Sequence, residues 1–230
     1  MRRRYIPDGQ WADRLSRNTP KLNTFALQQL ELSPQHGIPL LARCDYVPTA
    51  LFPWEEKSKY KGHGAIHFYC EDAYLNSIWD SAAKYPVPAV VQRAGAALTP
   101  DYSVFTDWPM ALNLWQVYRA RLLGALWQSH GVLVVPSLMW GEVVHGADFL
   151  FEGLPVGGTF AISTGHTILV EDQAIFRAFY SEALRRCKPD LVVVYGQGMK
   201  PWVEEQGCEV LRFDSRRTEV FKARQRAMQR

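Results

Sequence analysis

Three short, largely apolar stretches constrain the fold of this chain more than any other feature. They are Val132–Pro136, Thr159–Ser163 and Leu191–Tyr195, and helical periodicity precedes the first and third at Pro109–His130 and Glu171–Cys187. Strands that are apolar on both faces are typical of parallel sheets covered by helices. This alternation predicts an α/β fold with a mostly parallel sheet and flanking helices, either open or curled into a partial barrel.

The composition divides the chain into three parts. Residues 1–63 contain six prolines, which predicts an irregular N-terminal arm packed on the body, with at most a short helix at Thr24–Glu31. Residues 64–213 are expected to form the α/β domain, and residues 214–230 a basic helix or tail. The pattern within the domain indicates a strand at Ala65–Tyr69, a helix at Glu71–Ala83, a short apolar run at Ala89–Gln92, a short helix at Lys200–Glu205 and a strand at Glu209–Phe213.

Charge is concentrated at the two ends of the chain. Residues 1–4 carry +3 and residues 212–230 carry +5, so a net charge of +3 leaves −5 on the rest. Basic ends attract phosphate backbones through counterion release, although such ends can also serve solubility alone. The candidate nucleic-acid contacts are Arg216, Arg217, Lys222 and Arg224.

Apolar runs in the sequence are strand-sized, well below the ~20 residues that a membrane-spanning helix needs. Neither a secretory segment nor a membrane partner is therefore expected, which favours a cytoplasmic location. The four cysteines, Cys44, Cys70, Cys187 and Cys208, are far apart and contain no CxxC pair. Since cytosolic thiols stay reduced, all four are expected to be free.

Polar and aromatic residues recur where the strands end. In parallel α/β sheets the carboxyl ends of the strands share one edge, and ligands bind beyond it. The candidate ligand-binding residues at this edge are Ser103, Trp140, Ser163, Tyr195 and Gln197. Singly, each residue could simply make a turn or cap a helix, but several polar groups converging on an apolar setting indicate a site.

Charged residues add two further constellations. Asp101 and Asp107 could form a carboxylate pair for acid–base catalysis or for Mg²⁺. Alternatively, Asp107 caps the following helix and Asp101 hydrogen-bonds within its own turn. Asp148 and Glu152 share one face whether their segment is a strand or a helix. Together with Asp101 they form the candidate catalytic set.

Arg119 and Arg121 lie in the most apolar helix of the chain, so each needs an anionic partner. That partner is either a phosphate group of a ligand or a body carboxylate such as Asp148 or Glu152. Both alternatives stay open from the sequence.

Metal and cofactor motifs are largely missing. His63, His67 and Cys70 do not form a zinc site, because a strand places Cys70 on the face opposite the histidines and no second pair completes a tetrahedron. The sequence contains no GxGxxG after a strand, no GxxxxGK[ST], no HExxH and no GxSxG. The cofactor is unknown, and a divalent metal held by the carboxylates is compatible with the sequence.

The middle of the chain resembles an uncharacterised bacterial family. The residues that carry the resemblance are Thr99-Pro-Asp-Tyr-Ser103, Asp107-Trp-Pro109, Trp115, Tyr118-Arg-Ala-Arg121, Val135-Pro136, Trp140, Phe149 to Gly153 and Ala161-Ile-Ser-Thr164. That family is one of the domains of unknown function found in phages, prophages and mobile elements, and the resemblance covers about residues 64–213. It implies that Asp101, Ser103, Arg119, Arg121, Trp140 and Ser163 belong to the family pattern, without an established activity.

Three functions follow as hypotheses. The first is a phage or mobile-element accessory protein that binds a phosphate-bearing ligand, nucleic acid or nucleotide, at the carboxyl ends of the strands. The second is a metal-dependent hydrolase or phosphodiester-acting enzyme. The third is an inhibitor that binds a host protein through an exposed aromatic surface.

Overall fold

The structure is a computed structural model, and it describes residues 20–105, 107–141, 147–165, 167–216, 218–220 and 225. Seven strands in this part of the chain form the sheet. They are β1 (Leu51–Pro53), β2 (Ala65–His67), β3 (Ala96–Leu98), β4 (Leu133–Val135), β5 (Thr159–Ser163), β6 (Leu191–Tyr195) and β7 (Glu209–Phe213). Every paired strand is parallel to its neighbour, as the apolar patterns predict.

The strands stand side by side in the order in which they occur along the chain. Hydrogen bonds join β1-β2-β3-β4 and, separately, β5-β6-β7. A parallel bridge between Ser137 and Ala161 connects the two groups, and the Ala161 amide donates to the carbonyl oxygen of Pro136 at 2.9 Å. The chain therefore builds a succession of parallel strands in which all carboxyl ends lie at the same edge.

Helices connect consecutive strands and cover the outer face. They are α1 (Asp72–Ser81), α2 (Ala89–Ala94), α3 (Met110–Ser129), α4 (Val170–Cys187) and α5 (Lys200–Glu204). Four 3-10 helices, Pro20–Leu22, Thr24–Gln29, Trp54–Lys59 and Ala147–Phe151, fill the remaining gaps. The helix α3 begins after Pro109, whose missing N–H costs nothing there, and Gly131 follows its end with a φ of +81°.

The inner face of the sheet has a core of its own. A single cluster contains side chains from all seven strands, including small residues at its centre: Leu51, Ala65, Ala96, Leu98, Val135, Ala161, Leu191, Val193, Leu211 and Phe213. For all strands to share one interior, the sheet must curl around it. Within the described residues β1 and β7 are not paired, so the curled sheet does not close into a barrel. The predicted α/β fold with an open or partial barrel is confirmed.

Two local features were left open by the sequence pattern. The apolar run Ala89–Gln92, to which no element type was assigned, lies in α2, and the strand that precedes Asp101 is β3, at Ala96–Leu98. A short apolar run does not distinguish a buried strand from a buried helix, and here Gly95, with a φ of +68°, ends the helix and starts the strand. The proline-rich arm also contributes more than a cover, because Leu51–Pro53 pairs with Ala65–His67 as the edge strand.

Candidate functional site

A cleft of about 930 Å³ opens at the carboxyl edge of the curled sheet. Residues that end or follow six different strands, β1 to β6, line it, among them Tyr69, Asp101, Trp140, Ser163 and Tyr195. This is where the sequence placed the ligand site. Ser103 lines the same cleft, so it joins Trp140, Ser163 and Tyr195 as a predicted ligand-binding residue at this edge.

Aromatic rings form much of the wall of the cleft. Tyr69 and Tyr195 are stacked, with ring centroids 5.2 Å apart and an interplanar angle of 18°, and His67 lies 4.5 Å from Tyr195 beneath them. Trp140 is held across the cleft, because its Nε1–H donates to the carbonyl oxygen of Ser163 at 2.7 Å and its ring meets Phe176 edge-on. These rings are fixed by their own contacts, so they offer rigid π surfaces to a ligand.

Carboxyl groups supply the charge of the cleft. Those on its lining are Glu55, Glu71, Asp101 and Asp172, and no lysine or arginine lies among the described lining residues. The cleft is therefore acidic. A free phosphate group does not suit such a lining, whereas a neutral ring with N–H donors or a group that develops positive charge does.

Asp101 stands next to a second carboxylate that the sequence did not single out. Asp72, the first residue of α1, accepts hydrogen bonds from the backbone N–H of Ser103 at 3.1 Å, from the Ser103 hydroxyl at 3.1 Å and from the Gln116 amide at 3.0 Å. These bonds fix a negative charge beside Asp101. Ser103 thus has a structural role, which is to hold Asp72 in place while lining the cleft.

Burial and, to a smaller extent, the neighbouring Asp72 raise the pKa of Asp101 from 3.8 to about 7, while Arg121 acts in the opposite direction. The pKa values of two neighbours that follow β2 are also raised by burial, that of the Cys70 thiol to about 12 and that of the Tyr69 phenol as well. Cys70 therefore stays a thiol at neutral pH and does not act as a nucleophile. Asp101 is the one described cleft residue whose shifted pKa lies near neutrality, as acid–base work requires.

The two arginines of α3 do not line the cleft, contrary to their predicted ligand-binding role. Arg119 lies 3.8 Å above the Tyr102 ring and bonds Asn76 and Gln116 through its guanidinium. Arg121 is fully buried and donates to the backbone carbonyl oxygens of Leu150 and Glu152 at 3.0 and 3.3 Å.

Arg121 thus contacts the segment that contains Asp148 and Glu152, as expected, but its guanidinium donates to backbone carbonyl oxygens rather than to a carboxylate. The 3-10 helix Ala147–Phe151 leaves these carbonyls without helical partners, which explains the preference. Within the described residues, neither Arg119 nor Arg121 forms an ion pair with the carboxylate of Asp148 or Glu152, which the sequence offered as partners.

Asp148 and Glu152 do not share a site with Asp101. The Asp148 carboxylate is exposed and pairs with Arg186, whereas Glu152 accepts hydrogen bonds from the Ser33 hydroxyl and from the backbone N–H of His36. Glu152 thereby fastens the N-terminal arm to the body. The predicted catalytic set of Asp101, Asp148 and Glu152 is not assembled, because the 3-10 helix Ala147–Phe151 and the turn after it place Asp148 and Glu152 toward different neighbours.

The remaining predicted contacts are divided between the rim and the undescribed residues. Gln197 is exposed, lies off the cleft lining and donates to Asp214 at 2.6 Å. Arg216 pairs with Glu55 and Glu56 at 3.7 and 3.1 Å, and its backbone N–H donates to the Tyr195 hydroxyl. The basic C-terminal segment therefore starts at the cleft rim; its members Arg217, Lys222 and Arg224 lie outside the described residues.

Two of the sequence-based exclusions can be examined in the described part of the chain. No group of three or more His, Cys, Asp or Glu side chains there has a spacing that could hold a metal ion. No helix there is both long and apolar enough to cross a membrane. All four cysteines are free thiols, as predicted.

Asp72 is the main residue that the sequence analysis missed. It follows β2 as Asp101 follows β3, so the rule that picks residues at the carboxyl ends of strands also selects it. Within the predicted helix Glu71–Ala83, an aspartate in the first turn is typical of helix N-termini and does not by itself indicate a site.

Comparison with known proteins places the chain in a family. Residues 30–214 match the family described as Domain of unknown function (DUF4417). The chain is 39% identical over 172 residues to the Gene 1 protein of Mycobacterium phage L5, covering 73% of this chain and 74% of that protein. It is 41% identical over 171 residues to the Gene 1 protein of Mycobacterium phage D29, covering 72% of this chain and 62% of that protein.

No solved structure matches the chain. The family match begins at residue 30, so it includes much of the N-terminal arm, which the resemblance of the central motifs did not reach. The suspected family of phage-associated domains of unknown function is confirmed. The chain belongs to the DUF4417 family.

Proposed function

We propose that this protein is a phage accessory protein that binds a nucleobase-bearing ligand, a nucleotide or single-stranded nucleic acid, with the base in the cleft. The observation that carries the proposal is the combination of rigid aromatic rings and an acceptor carboxyl group at the carboxyl edge of the sheet. Bases stack on aromatic side chains, and carboxylates accept hydrogen bonds from the N–H groups of their edges.

The phosphate of such a ligand would lie outside the cleft. The lining carboxylates repel it, whereas Arg216 lies at the rim beside Glu55 with more than half of its side chain exposed. Further basic residues follow Arg216 in the sequence. Base and phosphate are therefore recognised by different parts of the protein, which revises the earlier expectation that Arg119 and Arg121 bind the phosphate.

Calorimetric titration with nucleosides, nucleoside monophosphates and a short single-stranded oligonucleotide tests this proposal. The variant Trp140→Leu removes one π surface, and loss of base stacking at about 1–3 kcal/mol should weaken binding roughly 5- to 150-fold. Trp115→Leu is the matched control, because Trp115 is also half-buried but packs on Trp79 and Tyr118 away from the cleft.

Salt separates cleft binding from binding by the basic segment. Nucleoside affinity should change little with salt, whereas the oligonucleotide should lose affinity as salt rises. If only the oligonucleotide binds, and Trp140→Leu binds it as tightly as the unaltered protein, the basic segment alone is responsible and the cleft proposal is wrong.

A second candidate function rests on an exposed apolar segment at the cleft rim. Ile168, Leu169 and Val170 are all more than 60% exposed in succession, and Phe105 is half exposed on the lining of the same cleft. Contiguous exposed apolar side chains are typical of protein–protein contacts, which supports an inhibitor of a host protein. Replacing Val170 with Ser should abolish capture of that host protein while nucleotide binding in the cleft continues, because Val170, unlike Ile168 and Leu169, lies off the cleft lining. Loss of nucleotide binding instead would assign the segment to the cleft.

A further inference from the structure

The arrangement around Asp101 supports a chemical step as well as binding. Asp101 lines the cleft, and Asp72 stands beside it with its oxygens engaged by Ser103 and Gln116. The hydrogen bonds donated by Ser103 and Gln116 hold the Asp72 carboxylate beside Asp101. Burial and this neighbouring carboxylate both oppose the ionisation of Asp101, which therefore keeps its proton.

Other charged and titratable groups around Asp101 come from two elements besides α1. After β2, Tyr69 and Cys70 interact electrostatically with Asp101 and remain neutral near pH 7, since burial raises the pKa of each. From α3, Arg121 lowers the pKa of Asp101, and its opposition is weaker than the effects of burial and Asp72. Within the described residues, a neutral Asp101 carboxyl group therefore faces the cleft at and below neutral pH.

The buried hydroxyl group of Tyr69 also lies next to Asp101. The Tyr69 hydroxyl has almost no solvent contact, and it lies beside Ser137 and Asp101 without a hydrogen bond of normal geometry in the described part of the chain. A buried hydroxyl without a well-formed partner is costly unless a ligand completes it. Tyr69 therefore offers an unused polar group next to the acid.

We propose that Asp101 is the general acid of a hydrolase that cleaves the N-glycosidic bond of a bound nucleotide, either free or within a single strand. This inference rests on the proposed function, because it requires the base to lie against the rings of the cleft. Asp72 is a positioning residue that keeps Asp101 protonated and oriented, and it touches neither substrate nor reacting atoms.

The step balances with water as the only co-reactant. Asp101 donates its proton to a ring nitrogen of the base as the bond between the base and C1′ breaks, and the bonding electron pair stays on the base. The sugar then carries positive charge, and water adds to C1′ while giving one proton back to the Asp101 carboxylate. The products are the free base and the sugar, and the acid is regenerated.

The charge of the cleft suits this reaction better than it suits a resting phosphate ligand. A departing base leaves an oxocarbenium-like sugar, and fixed negative charge stabilises that cation. Glu55, Glu71 and Asp172 lie on the lining together with Asp101. An acidic cleft that weakens the binding of anions thus stabilises the cationic transition state.

The experiment incubates the full chain with nucleoside monophosphates and with a single-stranded oligonucleotide between pH 5 and 9, and measures free base by chromatography. Base release should require protonated Asp101, so kcat/KM should fall tenfold per pH unit above about pH 7. Asp101→Asn keeps the shape of the protonated acid, so it should bind the nucleotide within a few-fold of the unaltered protein but release base at least about 100-fold more slowly.

Asp107→Asn is the matched control. Asp107 is an exposed aspartate six positions further on and off the cleft lining, so its replacement should leave the pH profile unchanged. If calorimetry records nucleotide binding but no base is released from either substrate, the catalytic inference is wrong and the binding proposal stands. Base release that persists in Asp101→Asn also overturns the inference. If none of the probes binds, the proposed function itself is wrong.

Discussion

The ionisation of Asp101 should leave a measurable mark on folding stability, independent of any ligand. Burial and the adjacent Asp72 raise the pKa of Asp101 from 3.8 to about 7 in the folded chain. Between these two values the unfolded chain has released the proton while the folded chain still holds it. Stability linked to Asp101 is therefore fully present below about pH 4 and is lost progressively as pH rises toward 7.

The magnitude follows from the size of the shift. About three pH units at 1.36 kcal/mol each correspond to roughly 4 kcal/mol as an upper bound, and because the cleft admits water we expect about 2–4 kcal/mol. Asp101→Asn removes the ionisable group, so the variant should be more stable than the unaltered protein at pH 8 by that amount and should match it near pH 4. For a chain of this size the gain corresponds to about 2–4 °C in Tm per kcal/mol.

Thermal melts followed by circular dichroism in buffers from pH 4 to pH 8.5 measure this difference. Asp107→Asn serves as the control, since that exposed side chain should give a difference close to zero at every pH. A gap between Asp101→Asn and the unaltered protein that does not change with pH would refute the reasoning, as would a variant that is less stable at pH 8. Either result would mean that folding does not raise the pKa of Asp101.

Two further predictions concern the framework that holds the cleft. Gly153→Ala should destabilise the protein by about 2 kcal/mol or more in urea unfolding, because Gly153 has a φ of +78° and an added Cβ would lie 2.5 Å from the Pro39 carbonyl oxygen; a stability equal to that of the unaltered protein would show that the arm can move away. Phe179→Ala should cost about 3–5 kcal/mol in the same assay, because Phe179 is fully buried and stacks on Phe151 at 5.1 Å, whereas a loss below 1 kcal/mol would contradict this packing.

Sequence pattern was sufficient for the fold where burial is uniform along an element. The strands at Thr159–Ser163 and Leu191–Tyr195 begin and end as predicted, because strands that are buried on both faces are largely apolar runs of limited length. The pattern was insufficient at Ala89–Gln92, where only the glycine that follows decides between helix and strand. It also left Leu51–Pro53 unassigned, since an edge strand of three residues containing proline carries no periodicity.

The sequence predicted which side chains lie at the carboxyl edge of the sheet better than it predicted which hydrogen bonds and ion pairs they form. Asp101, Ser103, Trp140, Ser163 and Tyr195 all follow strands of a parallel sheet, and topology alone brings them to one edge. Which carboxylates meet depends instead on the local path of the backbone. A turn that is 3-10 rather than a strand or an α-helix is enough to separate Asp148 from Glu152 and to give Arg121 carbonyl partners.

The acidity of the cleft changes how the charge of the whole chain should be interpreted. The basic ends of the sequence predict a protein that binds phosphate. The described cleft lining, however, carries carboxyl groups and no arginine or lysine. Arg216, the first basic residue of the C-terminal segment, lies at the rim and is paired with Glu55 and Glu56. In the proposed complex, the phosphate of a nucleotide would lie beside Arg216 at the rim and its base within the acidic cleft. Asp101 lies on that acidic lining, where burial and the neighbouring Asp72 oppose the loss of its proton.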